Sequence, residues 1–374
     1  MAEPANDRPP AGAPFKNQVG PDAIRSLSAR IRSVYPEFPS SSFEVAAEAG
    51  LGPMALKERV AHVADCLRKR LPAQWPEAVG VLCASLPPAS PAEFGQLGGL
   101  EFWPVLSVVE RHGHQDPTHS LPALREMTGR FSAEFAIRPF LRRWPDATWA
   151  ALSAWVSNRD PHVRRLVSEG SRPRLPWGLR LDPDPRALPL LHQLVDDPNE
   201  YVRRSVANHL GDLGKLDADA TVALAAEWLR ERPNRAPLLR HALRDLLKRG
   251  HPGALALVGV PPAAVSVTGL AVDDVALGEV ATVRAEIKAM EAASLRVDYA
   301  WAWPGARSGW CSKTFRGADR QLERGEVWSF RARLHTRPVS TRPGRPGPQR
   351  LTLRVSGQDF GPVDWTLLAP RASG

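Results

Sequence analysis

The chain has 374 residues, of which 43% are hydrophobic and 24% are charged, a balance typical of globular proteins and not of disordered ones. Its formal net charge is +9, with 49 basic residues against 40 acidic ones, which suits a polyanionic partner without establishing one. The three cysteines lack metal-ligand spacing and the even number of a disulfide framework, and no apolar run approaches the roughly 20 residues of a membrane span, so we expect a cytoplasmic protein in a reducing compartment.

The chain is long enough for two domains, and its pattern changes once along its length. Residues 1–20 begin with a Pro- and Ala-rich stretch that has no charged-then-apolar signal sequence, and they are predicted to form a disordered tail. Residues 21–258 show apolar positions at helical spacing, with proline and glycine between the segments. They predict a domain built of α-helices.

Two segments of this helical region repeat each other. A Val-Arg-Arg triplet at residues 163–165 recurs at residues 202–204, an offset of 39 residues (204 − 165), and an Asp-Pro pair precedes each triplet. Aspartate followed by proline is typical of a helix N-terminus, so we expect helices with Asp160 and Asp197 as N-caps. A helical period near 40 residues is typical of HEAT-like repeats, whose stacked helices form a concave binding surface.

Polar residues four apart lie on one face of a helix, and four such sets occur along the helical region. The sets are Arg130, Glu134 and Arg138; Arg165 and Glu169; Arg204, Asn208 and Asp212; and Arg240, Arg244 and Lys248. A single pair of this kind is most simply a solvated ion pair, but recurrence over four repeats favours a binding wall. We therefore predict an inner wall of basic residues with Glu134, Glu169 and Asp212 set into it.

The segment of residues 168–177 contains one glycine and two prolines, which predict an irregular connection between helices. Arg172, Arg174 and Trp177 are expected to project from it. Trp177 is either a stacking platform for a base or a core aromatic between repeats, and the pattern alone does not decide. Arg164 and Arg203, within the repeated triplets, complete the predicted set of DNA-backbone contacts.

After residue 260 the helical spacing gives way to alternation of apolar and polar residues. From Ala281 to Ala289 every second residue is apolar, and similar alternation recurs as far as residue 367. About seven short strands predict an immunoglobulin-like β-sandwich over residues 265–370. Three of its basic residues are either DNA contacts or solvated residues on a spacer domain: Lys313, Arg316 and Arg337.

No metal or cofactor site is expected. His112-Gly113-His114 invites a metal interpretation, but no second cluster completes a tetrahedral set at familiar spacing, so a solvated loop is the simpler account. The sequence also contains no Gly-rich phosphate loop and no Gly-x-Ser-x-Gly elbow.

Three segments together resemble the AlkC branch of the AlkD-like family of DNA alkylation-repair glycosylases. They are DPHVRRLVSEGSRPRLPW at residues 160–177, EYVRRSVANHLGD at residues 200–212 and EFAIRPF at residues 134–140. With the trailing β-domain, the resemblance covers most of the chain after about residue 20. The stretch from His209 to Asp212 departs mildly from the family pattern, which leaves the acid in place and its local contacts open.

The resemblance implies a monofunctional DNA glycosylase of base excision repair. We also expect a nucleoid-associated monomer that needs no metal or cofactor. The resemblance further implies removal of 3-methyladenine and 3-methylcytosine from double-stranded DNA without base flipping, with HEAT-like repeats that bind the duplex and an immunoglobulin-like domain that assists. Carried over by position, Glu169 and Asp212 would be the acids nearest the lesion, with Glu134 also at the site. Arg165 and Trp177 would lie beside them.

Acids within a basic surface suit such a reaction. An N3-methylated base carries positive charge and leaves as a neutral molecule, while the sugar becomes an oxocarbenium-like cation that a carboxylate stabilises. At an effective dielectric constant of about 20, opposite unit charges about 4 Å apart attract by roughly 4 kcal/mol, which is about three decades of rate. The alternative is a non-catalytic scaffold that binds DNA or an acidic protein, which the fold alone favours.

Overall fold

A computed structural model describes residues 15–89, 99–305, 309–339 and 344–370 of the chain. The predicted tail lies outside these residues as far as residue 14. The prediction is corrected for residues 15–20, because Phe15–Gln18 form a short 3-10 helix and Val19 is buried. Within the described ranges, helices end at Leu257 and strands begin at Val265. The predicted order of a helical repeat region followed by a β-sandwich is therefore confirmed.

Fifteen α-helices occupy the described part of the helical region. They are α1 (Pro21–Val34), α2 (Ser40–Glu48), α3 (Leu56–Arg68), α4 (Trp75–Ser85), α5 (Trp103–His112), α6 (Pro117–Met127), α7 (Arg138–Arg143), α8 (Pro145–Trp155), α9 (Pro161–Gly170), α10 (Ala187–Leu194), α11 (Glu200–Leu213), α12 (Ala218–Glu231), α13 (Ala236–Ala242), α14 (Arg244–Arg249) and α15 (Pro252–Leu257). Their contacts divide the chain into two compact units, Met1–Asp212 and Leu213–Gly374. Helices α1–α10 and nearly all of α11 belong to the first unit.

The two helices of the repeated motif begin in different ways. Asp160 caps α9 as predicted, because its carboxylate accepts a hydrogen bond from the backbone N–H of His162 at 2.8 Å. Asp197 is not the cap of α11, which corrects the prediction. Its carboxylate accepts from the N–H of Asn199 at 2.8 Å, and the Asn199 side chain in turn accepts from the N–H of Tyr201 at 2.9 Å. Helix α11 therefore begins at Glu200, three residues after the aspartate.

The first arginine of each repeated triplet makes the same contact with backbone carbonyls. Arg164 Nη1 donates to the carbonyls of Asn158 and Arg159 at 2.8 and 3.0 Å, and Arg203 Nη1 donates to those of Asp197 and Pro198 at 2.6 and 3.0 Å. These carbonyls precede the helix N-terminus in both repeats. The repeated triplet thus reflects a backbone contact in both repeats, while DNA binding by these two guanidinium groups stays a prediction.

Arg164 also connects the two repeats. Its Nε and Nη2 donate to the Asp197 carboxylate at 2.6 and 3.0 Å in a fork geometry, and the Asp197 side chain is almost fully buried. Because Arg164 lies on α9 and Asp197 precedes α11, this ion pair fixes the spacing between the two helices that carry the predicted site.

Eight strands lie in the described part of the β-domain. They are β1 (Val265–Val272), β2 (Val275–Ala276), β3 (Val280–Ala289), β4 (Ala293–Pro304), β5 (Trp310–Leu322), β6 (Val327–His335), β7 (Gly347–Val355) and β8 (Gln358–Leu368). One sheet has the order β1-β3-β6 and the other β2-β8-β7-β4-β5, with every pairing antiparallel except β2 with β8. The predicted alternation from Ala281 to Ala289 is confirmed, since the odd-numbered residues of β3 are buried.

The core of the β-domain forms between the inner faces of these strands. Trp301 is fully buried there, and its indole N–H donates to Gln349 Oε1 at 2.8 Å, which satisfies the one polar atom of the ring. Helix and strand also meet within the second unit, where Arg354 of β7 donates to the Lys248 carbonyl at the end of α14 at 2.6 Å.

Candidate active site

Three acids and two arginines of the first unit meet in one buried group, called here the acid–arginine cluster: Glu134, Arg165, Glu169, Arg172 and Asp212. Arg165 and Glu169 lie one turn apart on α9, and Asp212 lies near the end of α11. Arg172 comes from the irregular segment after α9, and Glu134 from the turns before α7. The structure therefore brings together all three acids that the sequence singled out.

Arg172 lies between two of these acids. Its Nη1 donates to Glu169 Oε1 at 2.5 Å and its Nε donates to Asp212 Oδ2 at 3.0 Å. Glu169 accepts a further hydrogen bond at its other oxygen, from Ser205 Oγ at 2.6 Å. Glu169 is 5% exposed, Arg172 6% and Asp212 1%. The sequence predicted Arg172 as a DNA contact, and this is corrected: its guanidinium is buried and bridges two carboxylates.

Arg165 and Glu134 form the more accessible edge of the cluster. Arg165 Nη1 donates to Glu134 Oε2 at 2.7 Å and to Ser132 Oγ at 2.9 Å, while its Nη2 lies 3.7 Å from Glu169 Oε1. The guanidinium also lies 4.6 Å from the centre of the Tyr201 ring. The side chains of Arg165 and Glu134 are 16% and 13% exposed, so solvent contacts the cluster at this edge.

The charges of the cluster stabilise one another. Burial by itself raises the pKa of Glu169, but the guanidinium groups of Arg165 and Arg172 and the hydrogen bond from Ser205 outweigh burial and hold that pKa below its ordinary value. Burial would likewise lower the pKa of Arg165, and the carboxylates of Glu134 and Glu169 raise it instead. Glu169 is therefore a carboxylate, and Arg165 a cation, at neutral pH.

His209 supports the cluster from α11. It is 1% exposed, and its Nδ1 lies 3.0 Å from the Ser168 carbonyl, next to Glu169. Burial, together with the nearby Arg172 guanidinium, lowers the pKa of His209 to about 4. The imidazole is therefore neutral at pH 7, and its Nδ1–H donates to the carbonyl.

The depressed pKa of His209 predicts a loss of stability in mild acid. The unfolded chain binds a proton at His209 below its ordinary pKa of 6.5 while the folded chain does not until about pH 4, so this part of the stability is lost as pH falls from 6.5 toward 4. His209→Asn keeps an N–H donor and removes the titration. Between pH 7 and pH 5 the free energy of unfolding should fall by about 2 kcal/mol more in the wild type than in the variant, as measured by denaturant unfolding. Equal pH dependence would show that His209 is accessible to protons in the folded state.

Arg138 is fully buried, and its predicted position facing DNA is wrong. Its guanidinium donates to the carbonyls of Gly170 at 2.8 Å, Pro173 at 3.5 Å and Leu179, and so holds the segment after α9. Burial, reinforced by Arg172, lowers its pKa to about 10. The predicted helical face of Arg130, Glu134 and Arg138 does not form, since residues 128–137 are turns and irregular backbone and α7 begins only at Arg138.

Two other predicted faces are also corrected. Arg130 Nε donates to the Pro87 carbonyl at 2.8 Å, so its guanidinium is bound to a neighbouring loop. In the second unit, the helix is interrupted at Leu243, between α13 and α14. This interruption separates Arg240 from Arg244 and Lys248, the other two members of its predicted set. Arg244 donates to the His241 carbonyl at 2.8 Å. The predicted positions on α11 are part-buried: Arg204 and Asn208. Exposed predicted positions are Arg174, Trp177, Arg240, Lys248, Lys313, Arg316 and Arg337.

Trp177 lies on the surface, which decides between its two interpretations. Its side chain is 67% exposed, so it is not a core aromatic between repeats. Its φ is +63°, a left-handed conformation that is uncommon for a bulky residue and is often found at binding sites. Lys57 Nζ donates to its carbonyl at 2.7 Å and helps to hold that backbone. An exposed indole on a fixed backbone suits a stacking platform.

Four supporting residues of the cluster were not found from the sequence: Ser132, Tyr201, Ser205 and His209. Ser205 and His209 lie one turn apart and are buried in α11, so polar residues on the otherwise apolar face of that helix were an available signal. Tyr201 and Ser132 carried no comparable signal, because each meets Arg165 only through the tertiary fold.

Within the described ranges, no group of three or more His, Cys, Asp or Glu side chains has an arrangement that could hold a metal ion. The helices of those same ranges include none with the length and apolar character of a membrane span.

The solved structure of Pseudomonas fluorescens AlkC, an alkylpurine DNA glycosylase bound to DNA containing an abasic site analog, is similar over almost the whole chain. The TM-score is 0.85 and the identity 32%, with 96% of this chain and 100% of AlkC covered. The chain belongs to the AlkC branch of the AlkD-like family. The resemblance read from three short segments is therefore confirmed.

Two further comparisons agree with membership of the AlkC branch. Protein YhaZ of Bacillus subtilis (strain 168) is 32% identical over 362 residues, which cover 94% of this chain and 99% of YhaZ. The family described as "Uncharacterised protein YhaZ, C-terminal Ig-like domain" matches residues 265–369. This match coincides with the β-sandwich, so the AlkC-type chain carries both its helical and its immunoglobulin-like parts.

Proposed function

We propose that the protein is a DNA glycosylase that excises cationic N3-methylated bases, 3-methyladenine and 3-methylcytosine, from duplex DNA. Similarity to an alkylpurine DNA glycosylase over 96% of the chain supports glycosylase activity on alkylated DNA. The observation that carries the finer proposal is the acid–arginine cluster, in which three carboxylates share two guanidinium groups. The third guanidinium nearby, that of Arg138, donates to backbone carbonyls.

In the proposed reaction the bond between C1′ and the base nitrogen breaks, and its electron pair leaves with the base. The methylated base thereby loses its positive charge, and the sugar acquires oxocarbenium character. The carboxylates stabilise that cation, and one of them takes the proton of the water that attacks C1′. Glu134 is the most accessible acid and is the best placed to receive water, while Glu169 and Asp212 supply buried negative charge.

DNA reaches this cluster at its Arg165 edge. We propose that the Arg165 guanidinium moves from Glu134 to a DNA phosphate, which leaves the carboxylates free to face the cationic lesion. Arg165 is more exposed than Arg172, the other arginine of the cluster. Its contact with Glu169, at 3.7 Å, is the longest ion pair in the cluster. The positive charge of the lesion then takes the place of the Arg165 guanidinium beside the carboxylates. An undamaged base is neutral and is not stabilised there, so selectivity does not require an enclosing pocket for a flipped base.

The proposed enzyme is a monofunctional monomer that works without metal or cofactor. The acid–arginine cluster contains no lysine, the residue that would form a Schiff base with the abasic sugar. We assign DNA binding and catalysis to residues 21–258 and an assisting role in DNA binding to residues 265–370. Exposed basic side chains contact the phosphate backbone of the DNA and do not recognise its base sequence.

The β-domain proposal predicts a specific defect. Lys313 of β5 is exposed, and Lys313→Ala should weaken duplex binding and lower the slope of log affinity against log salt by about 1. Base release at saturating DNA should not change, because the acids are untouched. Lys288 of β3, an exposed lysine on the other sheet, gives the matched control Lys288→Ala. Identical salt slopes for both variants and the wild type would remove Lys313 from the DNA-binding surface.

The function itself is tested by incubating the protein with methylated duplex DNA and analysing the released bases. Release of 3-methyladenine and 3-methylcytosine in the presence of a chelator is the expected result. Binding of duplex DNA with equal affinity for damaged and undamaged strands, and no released base, would support the non-catalytic scaffold instead.

A further inference from the structure

A cavity of about 350 Å³ lies beside α3 and α5 in the first unit. Trp103, Ser107 and Glu110 line it from α5, where spacings of four and three residues put them on one face of the helix. Phe135 and the segment that begins at Trp177 complete the lining. The volume falls within the range of small-molecule sites, roughly 300–1,000 Å³.

Aromatic rings give this cavity flat walls. Trp103 and Phe135 are stacked, with ring centres 5.0 Å apart and planes inclined by 23°. Trp177, whose side chain is exposed, also lines the cavity. Flat aromatic rings among the lining residues favour a planar ligand that stacks on them.

Two polar side chains face the cavity without a protein partner. Glu110 and Ser107 have no hydrogen-bond or ion-pair partner among the described residues. Arg111, the nearest cation on α5, is engaged with Asp65 at 2.7 Å, and Lys57 of α3 donates to a backbone carbonyl. Burial raises the pKa of Glu110 even though both cations oppose this. A carboxyl group in such a position gains most from a ligand that donates an N–H to it.

We propose that this cavity binds an amino-bearing nucleobase, whose ring stacks on Trp103 and Trp177 and whose amino group donates to Glu110. Ser107 then donates to a ring nitrogen. On the proposed function, the methylated base released by the enzyme is one such ligand. Phe135, which lines the cavity, directly follows Glu134 of the acid–arginine cluster in the chain, so on this proposal the leaving base has a binding site near that cluster.

The test uses the full chain without DNA and free adenine, free 3-methyladenine and hypoxanthine as probes in titration calorimetry. Adenine and 3-methyladenine should bind, and hypoxanthine, which carries a carbonyl in place of the amino group, should bind at least about tenfold more weakly. Glu110→Gln should weaken adenine binding about tenfold. Glu77→Gln changes an exposed glutamate of α4 and should bind like the wild type. Ser107→Ala, which retains Glu110, should cost a smaller factor.

A second arm separates a free base from a base still attached to DNA. Affinity for a short duplex with one unpaired, extrahelical adenine is measured with the wild type and both glutamate variants. Weaker binding only by Glu110→Gln in this arm, without binding of free bases, would assign the cavity to a base on the strand. No effect in either arm would overturn the proposal. Base release is measured separately, so adenine binding without any release would retain the cavity and reject the glycosylase.

Discussion

Asp212→Asn and Glu169→Gln are each expected to abolish release of 3-methyladenine, with a loss of at least about a thousandfold in the rate of base release. Each change removes one negative charge from the acid–arginine cluster and keeps the shape of the side chain. A charge interaction of roughly 4 kcal/mol that operates in the transition state is worth about three decades of rate. The affinity for undamaged duplex DNA should hold or rise, because a carboxylate repels phosphates and an amide does not.

The matched control for these variants is Asp298→Asn. Asp298 of β4 is also a buried carboxylate held by an arginine, Arg296, but it lies in the β-domain and outside the cluster. It should reduce the free energy of unfolding while folded molecules keep the wild-type rate of base release. Single-turnover release from methylated duplex DNA, with DNA affinity measured in parallel, distinguishes the two outcomes. Retained excision in both Asp212→Asn and Glu169→Gln would refute the catalytic assignment.

The sequence predicted the architecture well because architecture depends on periodicity. Helical spacing up to residue 258 and alternation from Ala281 onward are local properties, and the matching elements follow them. The predicted start of α11 was wrong because Asn199, two residues after Asp197, also accepts a backbone hydrogen bond. Asp197 accepts from the N–H of Asn199, and Asn199 accepts from the N–H of Tyr201. Small offsets of this kind are set by hydrogen bonds that spacing does not encode.

The sequence predicted the acids of the candidate site but not the roles of its arginines. The three acids were selected by their helical positions and by the family resemblance, and the structure brings them into one cluster. The roles of the arginines were not predictable, because a guanidinium can extend to solvent or turn inward with equal local geometry. Arg138, Arg164 and Arg172 all turn inward, where backbone carbonyls or carboxylates satisfy their donors. An excess of arginine therefore overstated the DNA-binding surface.

The position of Arg172 leads to the second large effect. Arg172→Met should lower the free energy of unfolding by about 3–5 kcal/mol, because it removes the buried cation that bridges Glu169 and Asp212. The sequence-based assignment of Arg172 to DNA predicts the opposite pattern, unchanged stability with weaker duplex binding. Denaturant unfolding and DNA affinity measured on the same preparation therefore decide between the two.

The pH dependence of this variant gives a further check. The guanidinium of Arg172 helps to hold the pKa of Glu169 below its ordinary value, so its contribution to stability is present above the ordinary pKa of 4.5 and is lost as pH falls through the folded-state pKa. The difference in stability between wild type and Arg172→Met should thus be largest at neutral pH and should narrow below about pH 5. Adding Glu169→Gln to Arg172→Met removes the negative charge of one of the two carboxylates that Arg172 bridged, and should restore part of the lost stability. A double variant no more stable than Arg172→Met would mean that Arg172 stabilises the fold through packing and not through its charge.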